Sequence, residues 1–337
     1  MIRLKSLELP DVVQSPMANC TDLPFRLMAR AHGMRFAFLE MLSADRMVRC
    51  PTAPADDRLQ TIPEDRPVGA QLMGCDPAIM GEAAAQLEAM GYDLVDLNLG
   101  CPVPKVVGHG GGSSLLREPS TAEQIFRRVV RSVRRVPVTV KMRLGYSDAS
   151  GDEAIRIARL AEEAGVDALA VHGRTRSQGY SGTADYEAIG RVKRAVKIPV
   201  FGNGDVVDGA SARRLKAVSG CDGVMLGRGA LGNPWIYRDV EAALRDEPSP
   251  PPPDLAARKA ALWAHLDLQC RYERDPVGPL RRIIVWYSRD LPHAAQFRDA
   301  IHRAQTVEAM RELIETAFGE AGLRGERPGL DAVAKIW

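Results

Sequence analysis

No run of apolar residues in this chain approaches the roughly 20 that a membrane-spanning helix needs, so no membrane partner is expected. Met1 to Pro10 carry no apolar core of a secretory signal. The six cysteines, Cys20, Cys50, Cys75, Cys101, Cys221 and Cys270, form no C-x-x-C pair, so neither zinc nor another metal is expected. Charge of one sign is also missing: 45 Lys and Arg against 43 Asp and Glu leave a net charge of +2. Such a balance does not announce a nucleic-acid binder. It does not exclude one either, because a local basic patch suffices. These absences describe a soluble cytoplasmic protein with reduced thiols, expected to be a monomer.

What is present is core material. With 337 residues and 45% hydrophobic composition, the chain can bury a large core. Short apolar runs recur at Val12 to Met17, Ala37 to Met41, Val68 to Met73, Leu94 to Leu99, Val138 to Arg143, Ala168 to Gly173, Val200 to Asn203 and Gly223 to Gly227. Strands covered on both faces look like this. Amphipathic segments alternate with them, at Ala78 to Met90, Thr121 to Val133, Glu153 to Ala164, Tyr186 to Val196 and Ala210 to Val218, with helix stops at Gly91, Gly165 and Gly220. About eight β–α units in roughly 240 residues have the rhythm of a (β/α)8 TIM barrel. An open doubly wound sheet is the alternative. Against it, nearly every strand ends in a chemically useful residue, and a barrel gathers all such ends on one face. Pro248 to Pro253 reads as a stiff linker, followed by purely helical patterning from Leu255 to about Phe318. The expected division is a barrel over 1–244, a linker over 245–254, a helical domain over 255–320 and a tail over 321–337. In that tail only Val333 to Trp337 shows a pattern.

The stretch from Asn98-Leu99-Gly100-Cys101-Pro102 to Gly110-Gly111-Gly112-Ser113 is poor core material. It places an amide and a thiol on a glycine-rich loop after a strand. Cys101 could deliver a proton or attack as a thiolate; with no base beside it in sequence, proton donation is favoured. Lys141 lies inside an apolar strand and needs a partner or a lowered pKa. A Schiff base or a place beside an anionic cofactor would each suit it. Asn203-Gly204-Asp205 and Gly227-Arg228-Gly229 follow the last two strands, where barrels commonly hold phosphate. His172 ends the sixth strand. Arg174 and Arg176 could meet the phosphates of a large substrate or stay solvated.

These residues carry a family resemblance. Ser15-Pro16-Met17-Ala18-Asn19-Cys20-Thr21-Asp22 with Phe25-Arg26, then Gln71-Leu72, then Asp96 to Pro102 open the match. Gly111-Gly112-Ser113, Val140-Lys141-Met142-Arg143, Val171 to Thr175, Asn203-Gly204-Asp205 and Met225 to Gly229 continue it. In this order they resemble the tRNA-dihydrouridine synthases, of the bacterial B/C-type branch. The resemblance implies an FMN across the barrel mouth, reduced by NADPH (or NADH). Pro16, Met17 and Ala18 would border its ring, and Gln71 and Lys141 would hydrogen-bond it. His172, Asn203, Gly204, Asp205, Gly227 and Arg228 would hold its ribityl phosphate. A flipped tRNA uridine would receive hydride at C6 and a proton from Cys101 at C5. Asn98, Arg143, Arg174 and Arg176 would contact the substrate. A small-molecule flavin barrel is the competing reading. Asn19-Cys20 departs from the family pattern and puts a second thiol near the ring. So does Arg281-Arg282-Ile283, ahead of Trp286-Tyr287 in the helical part that resembles the family's tRNA-binding domain. The interleaved basic and aromatic residues from Arg281 to Arg289 fit RNA contact or an ordinary amphipathic helix equally well.

Overall fold

Eight parallel strands form the core of the computed structural model, which describes residues 1–50 and 56–319. They are β1 (Val12–Gln14), β2 (Ala37–Phe38), β3 (Val68–Met73), β4 (Leu94–Leu99), β5 (Val138–Arg143), β6 (Ala168–His172), β7 (Val200–Asn203) and β8 (Gly223–Leu226). Each strand from β2 onward pairs with the next in sequence, and β8 pairs back onto β1. The Gln14 amide donates to the Phe36 carbonyl at 3.0 Å and joins the first strand to the segment leading into the second. The result is the expected (β/α)8 barrel. The second strand is shorter than its apolar run. It stops at Phe38, and Leu42–Ser43 pairs again with β3. Between them, Glu40 is buried and accepts the Asn19 amide at 2.8 Å.

Period-2 alternation sorts the strand residues. One parity faces the barrel axis. Its lower layer is apolar: Val13, Phe38, Leu94, Ala168, Ala170, Phe201 and Met225 pack together. The antiparallel hairpin of Ile2–Leu4 and Leu7–Leu9 adds Leu4 and Leu9 to this cluster and closes that end of the barrel. The same parity carries Gln71, Asp96, Asn98, Thr139, Lys141, Arg143, His172 and Asn203 toward the other end. The opposite parity packs against the helices α1 (Leu23–Ala31), α2 (Ala44–Arg49), α3 (Pro77–Ala89), α4 (Pro119–Ser132), α5 (Asp152–Ala164), α6 (Tyr186–Ala195), α7 (Gly209–Ser219) and α8 (Ile236–Leu244). Asp22, Asp76, Asp185 and Asp208 start α1, α3, α6 and α7 by accepting backbone N–H groups of the first turn.

Among the described residues of this unit, one ion pair is wholly buried. Arg26 of α1 donates through Nε and Nη2 to Asp65 Oδ2 at 2.9 and 2.7 Å, and Arg30 reaches Oδ1 at 3.2 Å. The motif residue Arg26 is thus a strut. Asp65→Asn keeps the shape but removes the charge that neutralises Arg26. It should cost about 3 kcal/mol of stability, read as a lower urea midpoint with an unchanged slope.

A second compact unit comprises, among the described residues, Ala230–Trp235 and 250–319. Its helices are α9 (Leu255–Tyr272), α10 (Val277–Tyr287), α11 (Ala294–Arg303) and α12 (Val307–Ala317). Leu262, Leu266, Leu280, Ile284, Ile301, Met310 and Ile314 are buried. Ala230–Trp235 groups with these helices because the Gly232 backbone lies against the Trp286 carbonyl. That assignment differs from a boundary drawn by sequence at residue 244. Within α10, Tyr287 is buried and its hydroxyl lies 3.3 Å from His265 Nδ1. Arg281 donates to the Ala304 carbonyl at 2.7 Å. Much of the basic–aromatic interleaving there is therefore helix packing, with Arg282 and Arg289 left exposed. The patterned Val333 to Trp337 segment lies outside the described residues.

Candidate active site

Because all eight strands run the same way, their C-terminal ends share one face of the barrel. Gln71, Asn98, Lys141, Arg143, His172 and Asn203 all sit there, on the axial parity. Sequence register explains their proximity: Asn98 lies opposite Lys141, and Arg143 opposite His172.

A chain of hydrogen bonds runs across β3, β4 and β5. Thr139 Oγ1 donates to Asp96 Oδ1 at 2.6 Å, and Gln71 Nε2 donates to Asp96 Oδ2 at 2.7 Å. Asn98 Nδ2 donates to Gln71 Oε1 at 2.7 Å. Asn98 Oδ1 then accepts the backbone N–H groups of Gly100 at 3.1 Å and Cys101 at 2.9 Å. Burial pushes the Asp96 carboxyl up to about 6, against the pull of Thr139, Gln71 and Lys141. The reactive loop is thereby pinned at its start. It is pinned again where Ser113 Oγ and N donate to the Cys101 carbonyl at 2.9 and 3.1 Å. Gly112 makes that second anchor possible. It has φ +60°, and a Cβ there would stand 2.7 Å from the Cys101 carbonyl oxygen.

Cys101 itself is half-buried. Burial raises its thiol pKa, while the Val103 amide, Arg143 and Lys141 pull it partly back. The sulfur therefore keeps its proton at neutral pH, which suits an acid better than a nucleophile. Lys141 is pushed down to about 8 by burial and by Arg143, with Asp96 and Cys101 acting the other way. Among the described residues no hydrogen bond or ion pair engages its ammonium group. Burial, aided by Lys141, Arg143, Arg174 and Arg228, keeps His172 neutral.

The arginines divide into two kinds. Arg143 donates to the carbonyls of Gly100, Thr175 and Gly179 at 2.8–2.9 Å and so ties the Cys101 loop to the loop after β6. Arg174 makes a bidentate pair with Asp205 at 2.8 Å and donates to the Ser181 and Gly182 carbonyls. Burial raises the Asp205 carboxyl, but these bonds and the Ala184 amide outweigh it and hold it low. Both guanidinium groups are nearly inaccessible, so they brace loops rather than stand open to a substrate. Arg228 is different. Its guanidinium is 54% exposed, 4.0 Å from Asp205 and 4.3 Å over the Tyr180 ring. Arg176 lies over Tyr146 at 5.0 Å, with Arg117 at 3.9 Å from the same ring. The Arg176 Nε has no hydrogen-bond partner among the described residues.

The backbone after β7 is crowded and that after β8 is open. Gly204 has φ +128°, and a Cβ there would collide with Ala184 at 2.7 Å. A Cβ on Gly227 would meet nothing nearer than Asn203 Nδ2 at 3.9 Å. Asn203 is committed to the Met225 carbonyl at 2.7 Å and fixes the two loops together. The turn after β1 holds Pro16 and Met17 half-buried and Ala18 exposed, with the Met17 amide donating to Thr21 Oγ1 at 3.0 Å.

Two residues here carry no role in the sequence reading. Asp96 shares the parity of Asn98, two residues on; a carboxylate inside an apolar strand was a legible signal. Tyr180 stands 58% exposed between Arg228 and Arg143, whose Cζ lies 5.6 Å from its ring. Its local sequence gives no sign of that meeting.

Comparison with known proteins bears on the whole chain. A family profile described as dihydrouridine synthase matches residues 13–321. A probable tRNA-dihydrouridine synthase of Rickettsia prowazekii is 39% identical over 319 residues, covering 93% of this chain and 96% of the relative. The tRNA-dihydrouridine synthase B of Pseudomonas aeruginosa is 38% identical over 325 residues, covering 95% and 96%. Among solved structures, histamine dehydrogenase from Rhizobium sp. 4-9 superposes with a TM-score of 0.54 at 12% identity, over 79% of this chain and 50% of that one. This last likeness is one of fold, and the chain spans about half the length of that structure.

Proposed function

The chain belongs to the dihydrouridine synthase family, and from that premise we propose that it reduces the C5–C6 bond of uridines in tRNA to 5,6-dihydrouridine. In this reading FMN is the cofactor, NADPH or NADH the reductant, and Cys101 the proton donor. The observation that carries it is the pairing of a protonated thiol at Cys101 with an unengaged ammonium at Lys141 on the same barrel mouth.

The residues present suit a flavin phosphate. Toward the ring, Lys141 offers a cation that no hydrogen bond or ion pair engages among the described residues. Gly227 leaves open space beside its backbone, and Arg228 adds an exposed guanidinium. Pro16, Met17, Ala18 and Gln71 would border the ring. His172, Asn203, Gly204, Asp205, Gly227 and Arg228 would hold the ribityl phosphate, Asp205 through its backbone because its carboxylate is taken. When bound, the flavin supplies the hydride that reaches C6 of the uracil. Cys101 gives its proton to C5 and recovers one from solvent, which its partial exposure allows. Asn98 has both lone-pair directions of Oδ1 occupied and donates Nδ2 to Gln71 Oε1 at 2.7 Å and to Met41 Sδ at 3.8 Å, so it would meet the base by giving up the weaker sulfur contact. Arg143 and Arg174 position the loops. Arg176, half-buried over Tyr146, and the exposed Tyr180 are the residues we assign to the RNA, by phosphate contact and by stacking.

The test is an absorbance spectrum of the purified protein, followed by anaerobic NADPH and then unmodified tRNA. A yellow protein that bleaches and then reoxidises on tRNA supports the reading. Bleaching without a response to tRNA moves weight to a small-molecule substrate. Failure to take up FMN overturns the cofactor assignment. Within the cradle, Arg228→Ala removes one charge-assisted contact and should weaken FMN binding about tenfold, measured by flavin fluorescence titration.

A further inference from the structure

We propose that Asp96 is a positioning residue: it fixes which way the Gln71 and Asn98 amides face, and through them the hold on the Cys101 loop. A carboxylate only accepts hydrogen bonds. Gln71 must therefore turn Nε2 toward Asp96 and Oε1 toward Asn98. Asn98 must answer with Nδ2, which leaves Oδ1 for the N–H groups of Gly100 and Cys101. Those N–H groups only donate, so both ends of the chain demand the same sense. If Gln71 reversed, Asn98 would present its own N–H to two backbone N–H groups.

Nothing below competes for this role. The space under Asp96 and Thr139 is lined by Ala168, Ala170, Phe201 and Met225, all apolar. Lys141 is the charged group acting on Asp96 from the neighbouring strand, and it makes no hydrogen bond to it. Burying a carboxylate is costly. An amide at the same position could serve as well only if something told it which way to face. Thr139 can do that: its hydroxyl donates to Asp96 in the native protein and could accept from an asparagine.

A double-mutant cycle follows from this symmetry. In Asp96→Asn, Nδ2 donates to Thr139 and Oδ1 still accepts from Gln71, so the sense is kept. In Thr139→Val, the carboxylate still orients Gln71. In the double variant the Gly100 and Cys101 N–H groups alone still set the sense, and with no group at the Thr139 end to orient the new amide the hold on Gln71 loosens, so that Gln71 reverses or leaves Asn98 more often. The readout is the rate of iodoacetamide alkylation at Cys101, followed by peptide mass spectrometry on the full chain. Each single variant should stay within about threefold of native, while the double variant should react about tenfold faster. Gln71→Met cuts the chain without touching Asp96 and should reproduce the double variant. Single effects that multiply to give the double, or no effect of Gln71→Met, would overturn the role; a full effect from Asp96→Asn alone would support it and place the orientation wholly on the carboxylate, without help from Thr139.

The consequence for turnover rests on Cys101 being the proton donor, as proposed above. The kcat for tRNA should then fall in the same pattern with KM little changed. Alkylation that follows the pattern in a protein that ignores tRNA leaves the Asp96 role standing and sinks the activity; the converse does the opposite.

Discussion

Replacing Cys101 by alanine leaves FMN uptake intact and lowers uridine reduction by about 10²- to 10⁴-fold, the range a positioned general acid supplies. The expectation follows from the state of the thiol. Burial raises its pKa more than Val103, Arg143 and Lys141 lower it, so at neutral pH the proton is present to be given. The loop is fastened at Asn98 and Ser113, so the sulfur is held in place rather than swept through solvent. Alanine removes the acid but none of those anchors. Reduction of the flavin by NADPH should therefore proceed at the native rate, and only the tRNA-dependent reoxidation should slow. Anaerobic stopped-flow separates the two half-reactions. Full activity in Cys101→Ala would mean that water or Cys20, half-buried in the turn after β1, supplies the proton.

How much of this was legible in the sequence depends on the kind of signal. The barrel was, because a strand covered on both faces is apolar along most of its length and lacks the regular polar alternation of a half-exposed one. Val68–Met73, Leu94–Leu99 and Val138–Arg143 therefore stand out with their true bounds. β2 was overread, since Leu39 continues the apolar run after the ladder has turned aside for Glu40. The assembly of Gln71, Asn98, Lys141 and His172 at one mouth follows from strand ends and parity, both readable locally. What each guanidinium meets is not. Arg143, Arg174 and Arg176 look alike in sequence. Yet the first spans three carbonyls, the second is spent on Asp205, and the third rests on Tyr146. Those partners are 30 or more residues away in most cases, and no spacing rule encodes them. Ala230–Trp235 shows the same limit at larger scale. Its grouping with the helical unit is decided by packing against Trp286, which a boundary drawn from composition cannot register.

Lys141→Met should weaken FMN binding and slow its reduction by NADPH, each on the order of 10²-fold. Two unit charges in contact at a partly buried site interact by about 4 kcal/mol, and access of water to the barrel mouth trims that figure. Methionine keeps the apolar stem of lysine without its ammonium, so the strand should keep its packing while the charge disappears. The reason to expect a large effect is that the ammonium is unengaged among the described residues. Its removal breaks no internal hydrogen bond and forfeits only the attraction to Asp96, so most of its value is left to the ligand. The pH dependence supplies the sharper check. Burial and Arg143 lower the Lys141 pKa to about 8 in the ligand-free chain. Below that value the lysine is charged and an anionic ligand is attracted. As pH rises through it, the charge is lost and FMN affinity should fall. The methionine variant has no charge to lose, so its affinity should be flat over the same window. Native and variant titrations between pH 6.5 and 9.5 (about one and a half units on either side of that pKa) decide the matter. Parallel curves would remove Lys141 from the cofactor site. Convergence of the native curve onto the variant's at high pH would place the ammonium against the bound anion.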